Sequence, residues 1–220
     1  MIDFQQARKN MVDSQIHTHG VIVPALLQAF EDTPREAFVP EPYANMACND
    51  EDIPLGDGRY LLEPSVHARM IQALEIGSED VVLDIGGGSG YSAAILSVLA
   101  STVVVLENRQ EFIDHGAKVF DSMGLCNIVS FLGPLEEGHP KHAPYDSVII
   151  NGAVAEVPQK ILDQLVPKGR LVCVVKEAGH VMGQARIFQK SEEGHISSYA
   201  LFDAGTPYLQ GFAPAPEFRF

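Results

Sequence analysis

The stretch Val81-Val82-Leu83-Asp84-Ile85-Gly86-Gly87-Gly88-Ser89-Gly90-Tyr91 decides the fold of this chain. Val81 to Ile85 is a short apolar run closed by a glycine cluster, which reads as a buried strand, and Ser89 to Leu99 continues as a helix. Gly86, Gly88 and Gly90 let the backbone turn tightly and approach a ligand, while the helix that follows offers unpaired N–H groups and a positive dipole end. Such a turn suits an anionic or carboxylate-bearing ligand. Its spacing departs from the dinucleotide fingerprint, because the third glycine comes two residues after the second and Tyr91 stands where that fingerprint has Gly. Less room remains for a pyrophosphate.

Working outward, Thr102 to Leu106 is a second strand, so the segment is a βαβ unit. Glu107 follows directly, about 20 residues beyond the glycine turn, where this topology places the carboxylate that holds a ribose through its hydroxyls. The plainer reading of Glu107 is a solvated strand end. Asp84 faces a similar choice, since a carboxylate in an apolar strand is costly unless paired, which favours a role at the ligand. Downstream, Glu111 to Met123 reads as helix, Asn127 to Phe131 and Tyr145 to Ile150 as strands, Pro158 to Leu165 as helix and Arg170 to Val175 as strand. Ala185 to Lys190 and Ile196 to Phe202 flank a turn at Ser191-Glu192-Glu193-Gly194 and predict a β-hairpin. The fold class is therefore α/β, with a mainly parallel central sheet, helices on both faces and a C-terminal antiparallel hairpin.

Upstream, Phe4 to Phe30 carries helical periodicity broken near Gly20 and Pro24, which gives two helices. Asp32 to Pro64 is rich in proline and glycine and reads as an irregular segment with short helical turns, and a helix runs from Pro64 to an end at Gly77. The expected organisation is one domain: a helical and loop cap over residues 1–77, a Rossmann-like core over 78–205, and an irregular tail over 206–220 whose Phe side chains pack on the surface.

With 46% hydrophobic and 20% charged residues, 220 residues suffice for one sizeable core, and no apolar run reaches the roughly 20 residues of a membrane span. The formal net charge of −14 opposes long-range attraction to nucleic acid or an anionic membrane. The N-terminus shows no export signal, which gives a soluble cytoplasmic protein as the expectation. Cys48, Cys126 and Cys173 are odd in number and widely spaced, and suit reduced thiols rather than a disulfide frame. No metal site is expected, because Pro140 breaks any helix that would align His139 with His142 and no Cys lies nearby.

Asp84 to Tyr91 resembles the glycine motif of the class I S-adenosylmethionine-dependent methyltransferases. The likeness extends to Met11-Val12-Asp13-Ser14-Gln15-Ile16, Pro34-Arg35-Glu36-Ala37-Phe38-Val39-Pro40, Ile53-Pro54-Leu55-Gly56-Asp57-Gly58, Ala143-Pro144-Tyr145-Asp146 and Gly169-Arg170-Leu171-Val172, which together resemble the protein-L-isoaspartate O-methyltransferases. It covers about residues 7 to 176. The resemblance implies methyl transfer from S-adenosylmethionine to the free carboxylate of an isoaspartyl residue in a damaged peptide or protein. That nucleophile is already ionised near neutral pH and needs no strong base, so no catalytic residue is assigned. By the same resemblance Asp84, Gly86, Gly88, Ser89, Gly90, Glu107 and Asn108 bind the cofactor, and Pro54, Gly58, Leu62 and Pro64 face the acceptor. The chain departs from the family in three places. Tyr60-Leu61-Leu62-Glu63-Pro64 stands for Thr-Ile-Ser-Gln-Pro, Gly133-Pro134-Leu135 for Gly-Asp-Gly, and Gly87 for Thr or Ser. Leu62 lacks the serine hydroxyl, Glu63 adds a charge that repels a carboxylate, and Pro134 removes an acid expected near the adenine. These departures motivate two alternatives, a different methyl acceptor or a non-catalytic cofactor-binding or interaction module. Oligomeric state is not readable.

Overall fold

The computed structural model describes residues 2–214. Its centre is a seven-stranded sheet of order β5-β4-β3-β6-β7-β8-β9, formed by β3 (Val81–Ile85), β4 (Thr102–Glu107), β5 (Ile128–Leu132), β6 (Tyr145–Val154), β7 (Leu165–Val175), β8 (Gly183–Lys190) and β9 (Ile196–Ala204). β3 to β7 pair in parallel, and β8 and β9 close one edge as the expected antiparallel hairpin. Alternation along the strands sends Val82, Val103 and Val105 into one apolar core and Leu83, Ile85, Val104 and Leu106 into the other. The first core packs against α1 (Phe4–Met11), α2 (Pro24–Asp32), α3 (Pro64–Leu74), α4 (Tyr91–Leu99) and one side of α5 (Gln110–Met123). The chain runs from β3 outward to β4 and β5 and then crosses back to β6 on the other side of β3. A crevice therefore opens at the C-terminal ends of β3 and β6, where the direction of winding reverses.

Several boundaries differ from the sequence reading. The Pro158–Leu165 helix shortens to α6 (Gln159–Leu162), because Leu165 is drawn into β7 by its pairing with Tyr145. α3 ends at Leu74 rather than Gly77, with Glu75 taking the left-handed cap at φ 52° and an ion pair to Arg170. The segment read as irregular contains a small hairpin, β1 (Ile53–Gly56) and β2 (Arg59–Leu61), besides the short 3-10 turns. Its turn holds Gly56, Asp57 and Gly58 at positive φ, and buried Ile53 and Leu61 fasten it to the core, so tertiary packing overrides weak local propensity. Of the three free thiols only Cys173 is buried, Cys48 being half-buried and Cys126 exposed.

Segment 206–212 lies along the end of β6: the Ala153 amide donates to the Pro207 carbonyl at 2.8 Å and the Leu209 amide donates to the Ala153 carbonyl at 2.9 Å. Leu209 and Phe212 are buried in the second core. Phe218 and Phe220 lie outside the described residues. No helix among the described residues is long and apolar enough to cross a membrane.

Candidate functional site

The glycine turn sits at the mouth of the crevice, with Gly86, Gly88 and Gly90 at φ 69°, 63° and 99°, a region closed to most side chains and open to glycine. Gly90 is the left-handed N-cap of α4, and no side chain caps the helix there. A side chain at Gly90 would strike the ring of Phe120, its Cβ lying 2.6 Å from Cζ, so this glycine is needed for packing as much as for the turn. Ser89, counted with the ligand residues, instead donates its hydroxyl to the Phe38 carbonyl and ties the turn to the N-terminal cap.

Asp84 is fully buried. Its Oδ1 accepts from Ser92 Oγ at 2.9 Å and from Asn151 Nδ2 at 2.5 Å, while Oδ2 has no partner. Burial pushes its carboxyl up to about 7, against the opposing pull of those two hydrogen bonds. Asn151 also donates to the Ile85 carbonyl at 3.1 Å and so links β6 to the turn.

Glu107 is equally buried, and its partners are the chain's own. Oε1 accepts from the Gly88 amide at 2.6 Å and from Arg59 Nη2 at 2.7 Å, and Oε2 accepts from Arg59 Nη1 at 3.0 Å and from the Asn108 amide at 3.1 Å. The Gly88 N–H is thus spent on Glu107. Arg59 further donates to the Gly86 carbonyl at 2.6 Å and to Asn108 Oδ1 at 3.1 Å, with its guanidinium 5.3 Å from the centre of the Phe112 ring. It is 2% exposed. A bidentate guanidinium–carboxylate pair out of water holds only when most of its other donors and acceptors are matched, and here both terminal nitrogens and both carboxylate oxygens are.

Two leucines complete the filling. A Cβ built at Gly86 would lie 2.7 Å from Leu209 Cδ2, and one at Gly88 would lie 2.5 Å from Leu55 Cδ1. The space left between Gly58, Arg59, Tyr60, Leu62, Asn151 and segment 206–209 is about 10 Å³. That gap is at the limit for a single water, whereas a cavity of about 220 Å³ opens beside the turn between Phe38, Pro40, Leu55, Ser89 and Phe112.

The predicted residues thus divide. Asp84, Gly86, Gly88, Glu107 and Asn108 converge on the crevice. On the acceptor side, Gly58 is exposed at the tip of the hairpin and Pro54 is half-buried, but the structure turns Leu62 and Pro64 inward. Leu62 belongs to the first core and its carbonyl accepts from Arg35 Nη2 at 2.6 Å, because the hairpin must bury its apolar side to stay attached. Tyr91 is also core, lying 4.8 Å from the buried guanidinium of Arg35, and burial drives its hydroxyl up to about 12. His67 is buried beside Ser92 and is held down at about 3 by burial, reinforced by Arg35. His139 and His142 stack at 4.8 Å between ring centres, yet no group of three His, Cys, Asp or Glu among the described residues is placed to hold a metal.

Sequence reasoning missed Arg59, Asn151 and Leu209. The only available signal was the need of Glu107 for a cation if buried, and the sequence offers 15 Lys and Arg without saying which.

Comparison with known proteins places this arrangement. The model of the family Protein-L-isoaspartate(D-aspartate) O-methyltransferase matches residues 6–203. Protein-L-isoaspartate O-methyltransferase 2 of Pelobacter propionicus is 36% identical over 190 residues, 86% of this chain and 84% of that protein. The Methanoculleus marisnigri protein-L-isoaspartate O-methyltransferase is 37% identical over 171 residues, 78% of each chain. Among solved structures, a protein-L-isoaspartate O-methyltransferase superposes with TM-score 0.78 at 23% identity over 93% of this chain and 66% of that one. A Plasmodium falciparum protein named as a beta-aspartate methyltransferase, in complex with S-adenosyl-L-homocysteine, superposes with TM-score 0.75 at 14% identity over 96% of this chain and 99% of that one. These two share the fold. With the family's model spanning most of the 220 residues and the curated relatives matching across most of both chains, the chain belongs to the protein-L-isoaspartate(D-aspartate) O-methyltransferase family.

Proposed function

We propose that this chain is an S-adenosylmethionine-dependent O-methyltransferase that acts on carboxylates of isoaspartyl residues in peptides or proteins, the activity for which its curated relatives are named. The observation that carries the reading is the convergence of Gly86, Gly88 and Glu107 at the point where the sheet reverses direction, with the Gly88 amide 2.6 Å from the Glu107 carboxylate. Asp84 and Asn108 complete the polar edge of that crevice. The tip of the β1–β2 hairpin, Gly56 to Gly58, is the exposed part of the segment assigned to the acceptor.

As folded, the Glu107 end of the crevice is filled by the chain's own side chains. Both Glu107 oxygens are held by Arg59, Leu209 covers Gly86 and Leu55 covers Gly88. The proposed activity therefore belongs to a form in which these side chains have moved.

The test offers the purified protein methyl-labelled S-adenosylmethionine with an isoaspartyl peptide and with its aspartyl twin. Label on the isoaspartyl peptide alone is the expected result. Equal labelling of both peptides would sink the isoaspartyl assignment, and binding of S-adenosylhomocysteine without any transfer would sink the enzymatic one.

A further inference from the structure

We propose that Arg59 is a built-in occupant of the cofactor crevice, held there by Glu107 and covered by Leu209, so that cofactor binding requires this chain to release its own guanidinium first. The inference rests on the preceding reading of the crevice as the cofactor site.

The position of Arg59 is more than a surface ion pair swung inward. Four acceptor atoms receive its two terminal nitrogens: both Glu107 oxygens, the Gly86 carbonyl and Asn108 Oδ1. The face of Phe112 lies on its flank. The cage presents what an exogenous cation with hydrogen-bond donors would need, namely a carboxylate, a carbonyl and an aromatic face. Each of these partners becomes available to a ligand only when Arg59 leaves.

The elements that carry the occupants are those able to move without breaking the main sheet. Arg59 lies on β2, a three-residue strand of a two-stranded hairpin outside the seven-stranded sheet. Leu209 lies in segment 206–212, which is outside the seven-stranded ladder and is held by the two backbone bonds at Ala153 that make its bridge to Tyr208, by the Ala155 amide donating to the Phe212 carbonyl at 2.9 Å, and by Lys176 Nζ donating to the Thr206 carbonyl at 2.6 Å. Gly152 lets that segment approach closely, since a Cβ there would lie 2.8 Å from Leu209 Cβ. The closed form lowers apparent affinity in proportion to its population, as any competing conformation does.

The test is calorimetric titration of S-adenosylhomocysteine into the full-length chain, Arg59→Gln and Leu209→Ala, each first shown to melt cooperatively. Leu209→Ala leaves the ion pair intact and carries the test if Arg59→Gln does not fold. The expected result is that Arg59→Gln binds at least about tenfold tighter than the parent chain, as removal of a dominant competing state predicts, and that Leu209→Ala, which only uncovers the pair, binds tighter by a smaller factor. Amide exchange of the parent chain with excess S-adenosylhomocysteine is expected to speed up at residues 59–61 and 207–209. Equal or weaker binding by both variants, or slower exchange at those residues, overturns the inference and leaves the cofactor reading standing. No binding by any folded form overturns both.

Discussion

Glu107→Ala removes one half of a pair whose two side chains are each 1% exposed. Arg59 then loses its contacts at 2.7 and 3.0 Å, and keeps the Gly86 carbonyl and Asn108 Oδ1. The Gly88 amide, bonded at 2.6 Å to the deleted carboxylate, loses its acceptor at a buried position. Breaking a buried pair by deleting one partner costs about 3–5 kcal/mol, chiefly because the other charge is left uncompensated. Arg59→Met strands Glu107 in the same way and belongs in the same range. The double variant Arg59→Met with Glu107→Leu leaves no stranded charge and is expected to lie within about 2 kcal/mol of the parent, since apolar replacement of such pairs is often neutral or better. The two single losses therefore do not add. Urea melts of the four proteins read this as a double-mutant cycle, and heating gives a companion drop of about 6–20 °C for each single variant at this chain length. Single losses under about 1 kcal/mol that add in the double variant would mean a solvated pair, and would refute both the burial argument and the closed crevice.

His67 and Asp84 give opposite pH dependences. The folded chain holds His67 at about 3, below its ordinary value, so its stability is intact above pH 6.5 and is lost as the pH falls toward 3. Asp84 is held up at about 7, so its stability is full below pH 3.8 and is lost as the pH rises to 7. His67→Gln is therefore expected to gain about 3 kcal/mol relative to the parent chain between pH 7 and pH 4.5, and a pH-independent difference in urea melts would count against a neutral buried imidazole. Leu62→Ser, made at a core position 2% exposed, should cost about 2–4 kcal/mol through lost packing and an unmet hydroxyl. An unchanged midpoint for that variant would place the side chain at the surface instead. Gly90→Ala combines φ 99° with a Cβ 2.6 Å from Phe120 and should cost about 2–4 kcal/mol, whereas Gly124→Ala, at φ 70° in open space, should cost about 1–2. Equal losses at the two glycines would show that the Phe120 contact is relieved freely.

Much of the fold was readable because its signals are local. Val81 to Tyr91 carries strand, turn and helix start within eleven residues, and Ser191 to Gly194 marks the C-terminal hairpin by turn chemistry alone. The β1–β2 hairpin was not readable. Its strands are four and three residues long, interrupted by Pro54 and glycine, and they exist because Ile53 and Leu61 are buried against distant helices. The inward turn of Leu62 has the same origin, since alternation along so short a strand does not say which face the core covers.

The sequence by itself determined the α/β class, the glycine turn and the carboxylate at the next strand end, because periodicity and spacing act over a few residues or one βαβ unit. The tertiary structure alone decided what lies against that carboxylate. Arg59 is 48 residues from Glu107 in the chain, and Leu209 reaches Gly86 from the far end of the fold. Such contacts follow from how separate elements pack and which buried charge needs a counter-charge, and no local pattern records that choice.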